Sequence, residues 1–386
     1  MRRPIQRGMA TALATLTALV GCQAFDRAEF RRLSGGSDAR SDTGDASLPM
    51  RDIVEPPNDG NVACAPTTIV QSPTCTLAVV PDLPSGLRNV AGSTTRVFAA
   101  RGIAFGASGA WRRTGFDRDG LCSAPMSGPT PCRSALVLGD GDEGRDNTLA
   151  AVIGQAGVIG SAFDETRLNA GIARGNSTVG LRISDYGGIN DGAVRVEWLV
   201  LTEGHGAAGR SAPLRFDGTD AWSVDRDTTY QADLRTPRIS TGEAFASCGT
   251  LVVPFANSGA FLFPADGTRP KLTLTDTRLV GSITADGTIT NIDLSSIWTR
   301  ANIYDDMRSF GVCPELAAPQ DWFLLQAGVE AALDILGSGR ANPAASCDAM
   351  TAAFRLTLVP IRVEGEVPSP PITIPDPCRP QDAGRG

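Results

Sequence analysis

The chain has 386 residues, of which 42% are hydrophobic, 20% charged and 6% aromatic, enough apolar material to bury a core. Its 35 Lys and Arg against 42 Asp and Glu argue against a nucleic-acid-binding protein, which would carry a basic surface. A single His excludes most His-dependent catalysis and the usual Cys/His metal sites. The 43 Gly and 26 Pro favour many turns and short strands over a helical bundle.

The N-terminus has the pattern of an export signal. A positive segment with Arg2, Arg3 and Arg7 precedes an apolar stretch at 9–21, which is too short for a permanent membrane span. The sequence Leu19-Val20-Gly21-Cys22 resembles the lipobox of bacterial lipoproteins. That resemblance implies that residues 1–21 are removed and Cys22 is acylated, and Gln23 after it implies sorting to the outer membrane. The alternative is an ordinary secretory signal, and both alternatives predict export.

The cysteine count is consistent with export to an oxidising compartment. Apart from Cys22 there are eight cysteines, an even number that allows up to four disulfides: Cys64, Cys75, Cys122, Cys132, Cys248, Cys313, Cys347 and Cys378. Their spacing does not suggest metal ligands. The shortness of the loops between them favours the pairs Cys122–Cys132 and Cys313–Cys347, with Cys64–Cys75 as the third choice. Cys248 and Cys378 would then form the remaining pair. The sequence alone leaves all pairings open.

Composition divides the exported chain into three parts. Residues 22–60 are polar and rich in Gly, Ser, Asp and Pro, which predicts a lipid anchor followed by a flexible tether. Residues 61–363 carry the apolar patterning of one β-rich globular domain. Residues 364–386 are Pro-rich and predict an extended tail.

Between these ends the pattern is mostly period two, typical of strands. The alternating segments are Val179–Ser184, Ala193–Thr202, Thr250–Phe255, Lys271–Asp276, Arg278–Thr284, Thr288–Leu294 and Ala353–Val363. In Ala193–Thr202, Leu199 and Leu201 lie opposite the face of Val196 and Trp198, so the second half of this strand should be covered on both sides. Helices are predicted near 146–155, 300–310 and 321–336. The predicted fold is mainly β, a jelly-roll-like antiparallel β-sandwich with a small two-helix insertion, stapled by a disulfide, near the C-terminus.

Several short motifs occur in a distinctive order: GFDRDG-LC at 115–122, GRDN at 144–147, LRISDYGG-NDG at 181–192, GVCP at 311–314 and SCDAM at 346–350. In this order they resemble a group of cysteine-rich exported bacterial lipoproteins that has no assigned activity. The resemblance covers about residues 112–360 and implies a shared architecture without a function.

Acidic glycine turns provide the strongest candidate for a metal site. They contain Asp117, Asp119, Asp140, Asp142 and Asp146. Calcium takes about six to eight oxygen ligands, and alternate Asp residues in a turn supply several from one segment. No cofactor other than Ca²⁺ is suggested. The alternative is that Asp-Gly is ordinary turn chemistry, with each carboxylate capping its own backbone; a third such turn contains Asp185, Asn190 and Asp191.

Other chemistry has weaker support. His205 follows a predicted strand in a Gly-rich loop, where a lone His is usually just exposed. A carboxylate pair drawn from Asp185, Glu197 and Glu203 could serve a glycosidase, but acidic residues are common enough to pair by chance. Trp222, in a polar run, is the best candidate for an exposed sugar-stacking platform, against the more common packed role of a Trp.

These observations predict a lipid-anchored protein of the outer membrane that presents a binding or scaffolding surface and is not an enzyme. Its expected partners are the membrane, through the N-terminal lipid, and an envelope protein or glycan, with no nucleic acid. The alternative is a carbohydrate-active protein, either a calcium-stabilised glycan-binding module or a glycosidase.

Overall fold

The computed structural model describes residues 69–71, 75–106, 109–123, 129–153, 163–231, 233–255, 259–262, 271–309 and 319–368. The predicted signal, the tether and Cys22, Cys64, Cys313 and Cys378 lie outside the described residues. All described elements belong to one compact unit within residues 60–386.

The described elements are mostly strands. They are β1 Ile69–Gln71, β2 Thr76–Ala78, β3 Thr94–Ala104, β4 Ser177–Tyr186, β5 Asp191–His205, β6 Ala221–Asp225, β7 Thr229–Tyr230, β8 Asp233–Pro237, β9 Ile239–Ser247, β10 Thr250–Phe255, β11 Gly259–Leu262, β12 Lys271–Ile283, β13 Ile289–Thr299, β14 Ala349–Pro360 and β15 Arg362–Val367. The helices are α1 Thr148–Ile153, α2 Glu165–Ala173, α3 Arg300–Ser309 and α4 Pro319–Ala332. This mainly β composition agrees with the sequence patterning.

Eight of these strands form a closed antiparallel barrel in the order β5-β4-β3-β14-β13-β12-β10-β9, with β9 returning to pair with β5. In the closing pair, Trp198 lies opposite Ile239 and Asp191 opposite Ala246. The predicted β-sandwich is therefore wrong. Strands of a sandwich and of a barrel share the same inward and outward alternation, and the two differ in long-range pairings such as β5–β9.

The interior of the barrel is filled by side chains. All eight strands contribute to one contiguous apolar cluster, with Phe98, Leu181, Trp198, Leu294 and Phe354 among its fully buried members. Edge-to-face and tilted aromatic contacts lie within it, such as Phe105–Phe354, whose ring centroids are 5.4 Å apart. An eight-stranded barrel is just wide enough for side chains to fill it. The described helices add apolar residues to the same cluster.

The long strand β5 belongs to two layers. Its first half, Asp191–Trp198, closes the barrel against β9, and its end, Leu201–His205, pairs with β6, which in turn pairs in parallel with β15. Leu199 and Leu201 pack outside the barrel in a second cluster with Trp222 and Val224. This arrangement confirms that the second half of β5 is covered on both faces.

Other predicted elements are confirmed with shifted boundaries. The segments predicted as two strands at 271–276 and 278–284 form one strand, β12, with an irregularity between Thr275 and Arg278. Helices α1, α3 and α4 lie at the predicted places, with α3 and α4 between β13 and β14. The last described strand, β15, includes residues 364–367, which the composition assigns to the tail.

Two disulfides differ from the preferred pairings. Cys75 is bonded to Cys122 and Cys132 to Cys347, with Cα–Cα distances of 6.4 and 5.2 Å. Three predicted pairs are therefore wrong: Cys122–Cys132, Cys313–Cys347 and Cys64–Cys75. Cys347, which was predicted to bond within the helical insertion, is bonded instead to the segment before α1. Proximity in sequence favoured local loops, whereas the fold brings distant segments together. Cys248 is also disulfide-bonded, and the predicted Cys248–Cys378 pair involves a residue outside the described part.

None of the helices in the described part of the chain combines the length and apolar character needed to cross a membrane.

Candidate metal centre

Three predicted ligands, Asp117, Asp119 and Asp146, converge in the structure. Each offers a carboxylate oxygen, and these oxygens all lie within 4.8 Å of one another. Asp117 and Asp146 are buried, at 7% and 5% exposure. We call these three residues, together with the adjoining Asp140, the acidic cluster.

The turn after Asp117 positions two of the carboxylates. Asp117 Oδ1 accepts hydrogen bonds from the backbone N–H groups of Asp119 and Gly120, at 3.3 and 2.9 Å. Asp119 Oδ1 accepts one from Leu121 N at 2.8 Å. The turn is held at its start by Asp117 N, which donates to Ala78 O, and ends at Cys122, bonded to Cys75. The aspartates of this turn thus cap the backbone, as the alternative of ordinary Asp-Gly turns predicts. Their carboxylates also converge with that of Asp146, as the metal-site interpretation predicts.

The other two carboxylates come from the segment that precedes α1. Asp146 Oδ2 accepts from Arg118 N at 2.6 Å, which joins this segment to the first turn. Asp140 Oδ2 accepts from Ser123 N, and the charge of Asp140 contributes to the raised pKa of Asp146. Asp146 and Asp140 therefore bind the backbone on either side of the first turn, at Arg118 and Ser123.

Burial raises the pKa of every carboxyl group in the cluster, and repulsion by neighbouring carboxylates adds to this for Asp119, Asp140 and Asp146. Burial is the main cause that raises the pKa of Asp119 to about 7. The charges of Asp140 and Asp117 add to this rise, and the hydrogen bond from the backbone N–H of Leu121 opposes it. Burial is also the main cause that raises the pKa of Asp140 to about 6 and the pKa of Asp146 well above its ordinary value. At neutral pH these groups therefore need either protons or a cation to offset their charge.

The donor set fits a hard divalent cation. It consists of carboxylate oxygens, which suit Ca²⁺ and Mg²⁺, and it contains neither of the softer donors His and Cys. Asp117, Asp119 and Asp146 would hold the ion, with Asp140 beside them. Bound there, a cation would supply positive charge that joins the two acidic turns.

Asp142 is not brought into the acidic cluster. Its two carboxylate oxygens accept hydrogen bonds from Arg112 Nε and Arg113 Nε, each at 3.2 Å, at the surface. The hydrogen bonds from Arg113 and then Arg112 lower the pKa of Asp142. Its negative charge is therefore already paired.

One nearby carboxylate, that of Asp334, was not predicted. It accepts hydrogen bonds from Thr148 Oγ1 and Thr351 Oγ1, both at 2.6 Å, and its charge contributes to the raised pKa values of Asp119 and Asp146. Asp334 follows α4, in a segment without an acidic motif. No local signal could have placed it beside the first two turns.

Trp222 is not an exposed platform. It is fully buried, in the second cluster outside the barrel, so the prediction of a stacking surface there is wrong. The polar neighbours that suggested exposure are themselves buried: Asp220 accepts hydrogen bonds from Arg215 N and Phe216 N, and Asp225 accepts one from Asp227 N. These aspartates cap turns on either side of a buried strand.

The carboxylates considered as a glycosidase pair have separate environments. Glu197 is buried on β5 between Arg182 and Arg195, while Glu203 pairs with Arg210 at the surface. Asp185 is exposed at the end of β4.

Comparisons with protein-family models, curated proteins and solved structures found no match to this chain.

Proposed function

We propose that this chain is a lipid-anchored cell-envelope protein that binds or scaffolds other envelope components through the outer surface of its barrel. The filled barrel interior carries this proposal. Because one apolar cluster built from all eight strands occupies the lumen, a ligand has no room there. Recognition must therefore use the outer surface and the loops.

The resemblance of residues 19–22 to a lipobox supports the location in this proposal. Acylation of Cys22 would anchor the chain, since each buried CH₂ of a lipid contributes about 0.8 kcal/mol and several chains together hold a protein stably. The polar segment 22–60 would then separate the barrel from the membrane. The disulfides Cys75–Cys122 and Cys132–Cys347 suit a body that must stay folded in an oxidising compartment.

Fractionation of cells that express the full chain tests the anchor. We expect the wild type in the outer-membrane fraction, with a mass that shows an acylated Cys22. The variant Cys22→Ala should become soluble, and Gln23→Asp, which keeps the acylated Cys, should stay membrane-bound but move to the inner membrane. Membrane association unchanged in Cys22→Ala would refute the proposal.

A second candidate is a calcium-stabilised carbohydrate-binding protein, favoured by the convergence of the acidic cluster. The same geometry disfavours a glycosidase at this place. Retaining and inverting enzymes separate their two carboxyl groups by about 5 Å or more, to leave room for the sugar and water, whereas these oxygens lie within 4.8 Å. A cation that joins the turns fits the spacing better.

Thermal unfolding in EDTA, Ca²⁺ and Mg²⁺ tests this candidate. A ligand that binds only the folded state stabilises it by about 2.7 kcal/mol at 100 times its Kd. We expect millimolar Ca²⁺ to raise the unfolding midpoint of the wild type and of Asp142→Asn, but not of Asp146→Asn. No shift in the wild type would remove the candidate, and an equal shift in Asp146→Asn would place the ion elsewhere.

A further inference from the structure

A polar groove lies on the side of the barrel, apart from the acidic cluster. It has a volume of 380 Å³ and is formed by the segment 89–92, the end of β4, the start of β5 and the middle of β9. Its polar groups are those of Asn89, Asp185 and Arg195, and Gly242 lies on the β9 side. The volume falls within the range of about 300–1,000 Å³ that small-molecule sites occupy.

The groove is held in shape by the buried carboxylate of Asp191. Its Oδ1 accepts hydrogen bonds from Val90 N and Ala193 N, both at 3.1 Å, and its Oδ2 accepts one from Gly187 N at 2.8 Å. One side chain thus ties the 89–92 segment to β5 and to the turn after β4. A site with fixed walls loses little conformational entropy when a ligand binds.

Asp185 lines this groove at the end of β4. Its φ of 62° lies in the left-handed region, which a residue with a side chain seldom adopts. Within the described part of the chain, its exposed carboxylate has neither a hydrogen bond nor an ion pair. Asp is among the residues with a side chain that adopt this conformation most readily.

The two charged residues that line the groove, Asp185 and Arg195, have opposite signs. Glu197 is shared by Arg182 and Arg195, with Arg195 Nε donating to Glu197 Oε1 at 3.0 Å. The carboxylate of Asp191 is buried, does not line the groove and already accepts three backbone hydrogen bonds. A ligand with a strong net charge would therefore gain little, while one with many hydroxyl groups could donate to Asp185 and accept from Asn89 and Arg195.

We infer that this groove binds a neutral, hydroxyl-rich ligand, namely one or two saccharide units of an envelope glycan. This inference rests on the proposed binding function and names the surface and the ligand class for it. Asp185 accepts from sugar hydroxyls, while the amide of Asn89 and the guanidinium of Arg195 donate to sugar oxygens.

Calorimetric titration of the purified full chain, in a detergent without a sugar headgroup, tests the inference. The probes are maltotriose, cellotriose and triacetylchitotriose at millimolar concentration, with trigalacturonate and the deacetylated chitosan trimer as charged comparators. We expect at least one neutral trisaccharide to bind. Asp185→Asn, which removes the charge at this position, should weaken that binding by at least about tenfold. The control variant Asp305→Asn, which removes an exposed charge on α3, should leave the binding unchanged.

A second variant fills the groove. A Cβ on Gly242 would meet no atom within 4 Å, so Gly242→Gln should fold with an unchanged unfolding midpoint while its side chain occupies the groove. We expect it to weaken binding at least as much as Asp185→Asn. Gly328→Gln, at an equally open glycine of α4, should bind as the wild type does.

Three results would overturn the inference: no binding of any neutral trisaccharide, tighter binding of a charged comparator, or undiminished binding by both Asp185→Asn and Gly242→Gln. None of them depends on Cys22. Failure of the groove and failure of the anchor are therefore distinguishable, since the second is read from cell fractionation.

Discussion

His205 Nε2 lies 3.0 Å from Glu364 Oε2, which joins the end of β5 to the last described strand, β15. The other ring nitrogen, Nδ1, lies 3.1 Å from the carbonyl oxygen of Gly206. Since both nitrogens face acceptors, only the doubly protonated imidazolium can donate to both. The hydrogen bond to Gly206 and then Glu364 raise the pKa of His205, opposed by its burial and by Arg210. The sequence pattern predicted an exposed His, and the structure corrects this.

This pair should make the stability of the protein fall as pH rises. A histidine with a raised pKa in the folded state contributes stability that is complete below its unfolded pKa and is lost as pH passes through its folded pKa. We expect Glu364→Gln to lower the unfolding free energy by less than about 1 kcal/mol near pH 6, since the side chain of Glu364 is half-exposed. Near pH 8.5 the loss of unfolding free energy should be smaller than at pH 6. Urea unfolding at both pH values measures it. Asp233→Asn, which breaks an exposed pair with Arg235, should give equal losses at both.

The acidic cluster predicts a mutation whose effect changes sign with calcium. In EDTA at pH 8, Asp119→Asn removes a charge from a crowded, partly buried set, so it should raise the unfolding midpoint. In Ca²⁺ the same change removes a ligand and should lower the midpoint relative to the wild type. Differential scanning fluorimetry in the two buffers gives both values. The same sign in both buffers would argue against a cation at this cluster.

The raised pKa values also predict a pH dependence. The folded cluster binds protons more tightly than the unfolded chain, so without a cation its contribution falls as pH rises from about 4, the ordinary Asp value, through about 6 and 7. In EDTA we expect the midpoint of the wild type to drop between pH 5 and pH 8 more than that of Asp119→Asn. Calcium should reverse this difference, because the ion replaces the protons in the wild type, whereas the variant has lost a ligand and keeps the raised pKa values of Asp140 and Asp146. Measuring both variants together cancels the contribution of His205.

The disulfides make a prediction about both connectivity and stability. Non-reduced peptide mapping should recover Cys75–Cys122 and Cys132–Cys347. Chain entropy gives about 4 kcal/mol for the first bond and about 5 kcal/mol for the second, whose residues are 47 and 215 positions apart. Cys132→Ser should therefore destabilise the protein more than Cys75→Ser in urea unfolding. A recovered Cys122–Cys132 peptide would contradict this connectivity.

What the sequence could predict was local. The alternation of apolar residues predicted β4 and β5, because the faces of a strand depend on neighbouring residues. The acidic glycine turns pointed to Asp117, Asp119 and Asp146 for the same reason, since turns are also local. The closure of the barrel through Trp198 and Ile239, and the approach of Asp334 to the cluster, depend on contacts between distant segments, which a single sequence does not encode as a pattern.

The most direct test of the corrected role of Trp222 uses two glycines. A Cβ on Gly204 would lie 2.5 Å from the Trp222 ring, which is fully buried. We expect Gly204→Ala to cost about 1–3 kcal/mol, as overpacking does in cores. Gly242→Ala, where a Cβ meets nothing within 4 Å, should be neutral or stabilise by up to about 1 kcal/mol through the unfolded state. Urea midpoints measure both. If Gly204→Ala were as harmless as Gly242→Ala, the ring would have to be free to leave its place, which would contradict its tightly packed position against Gly204.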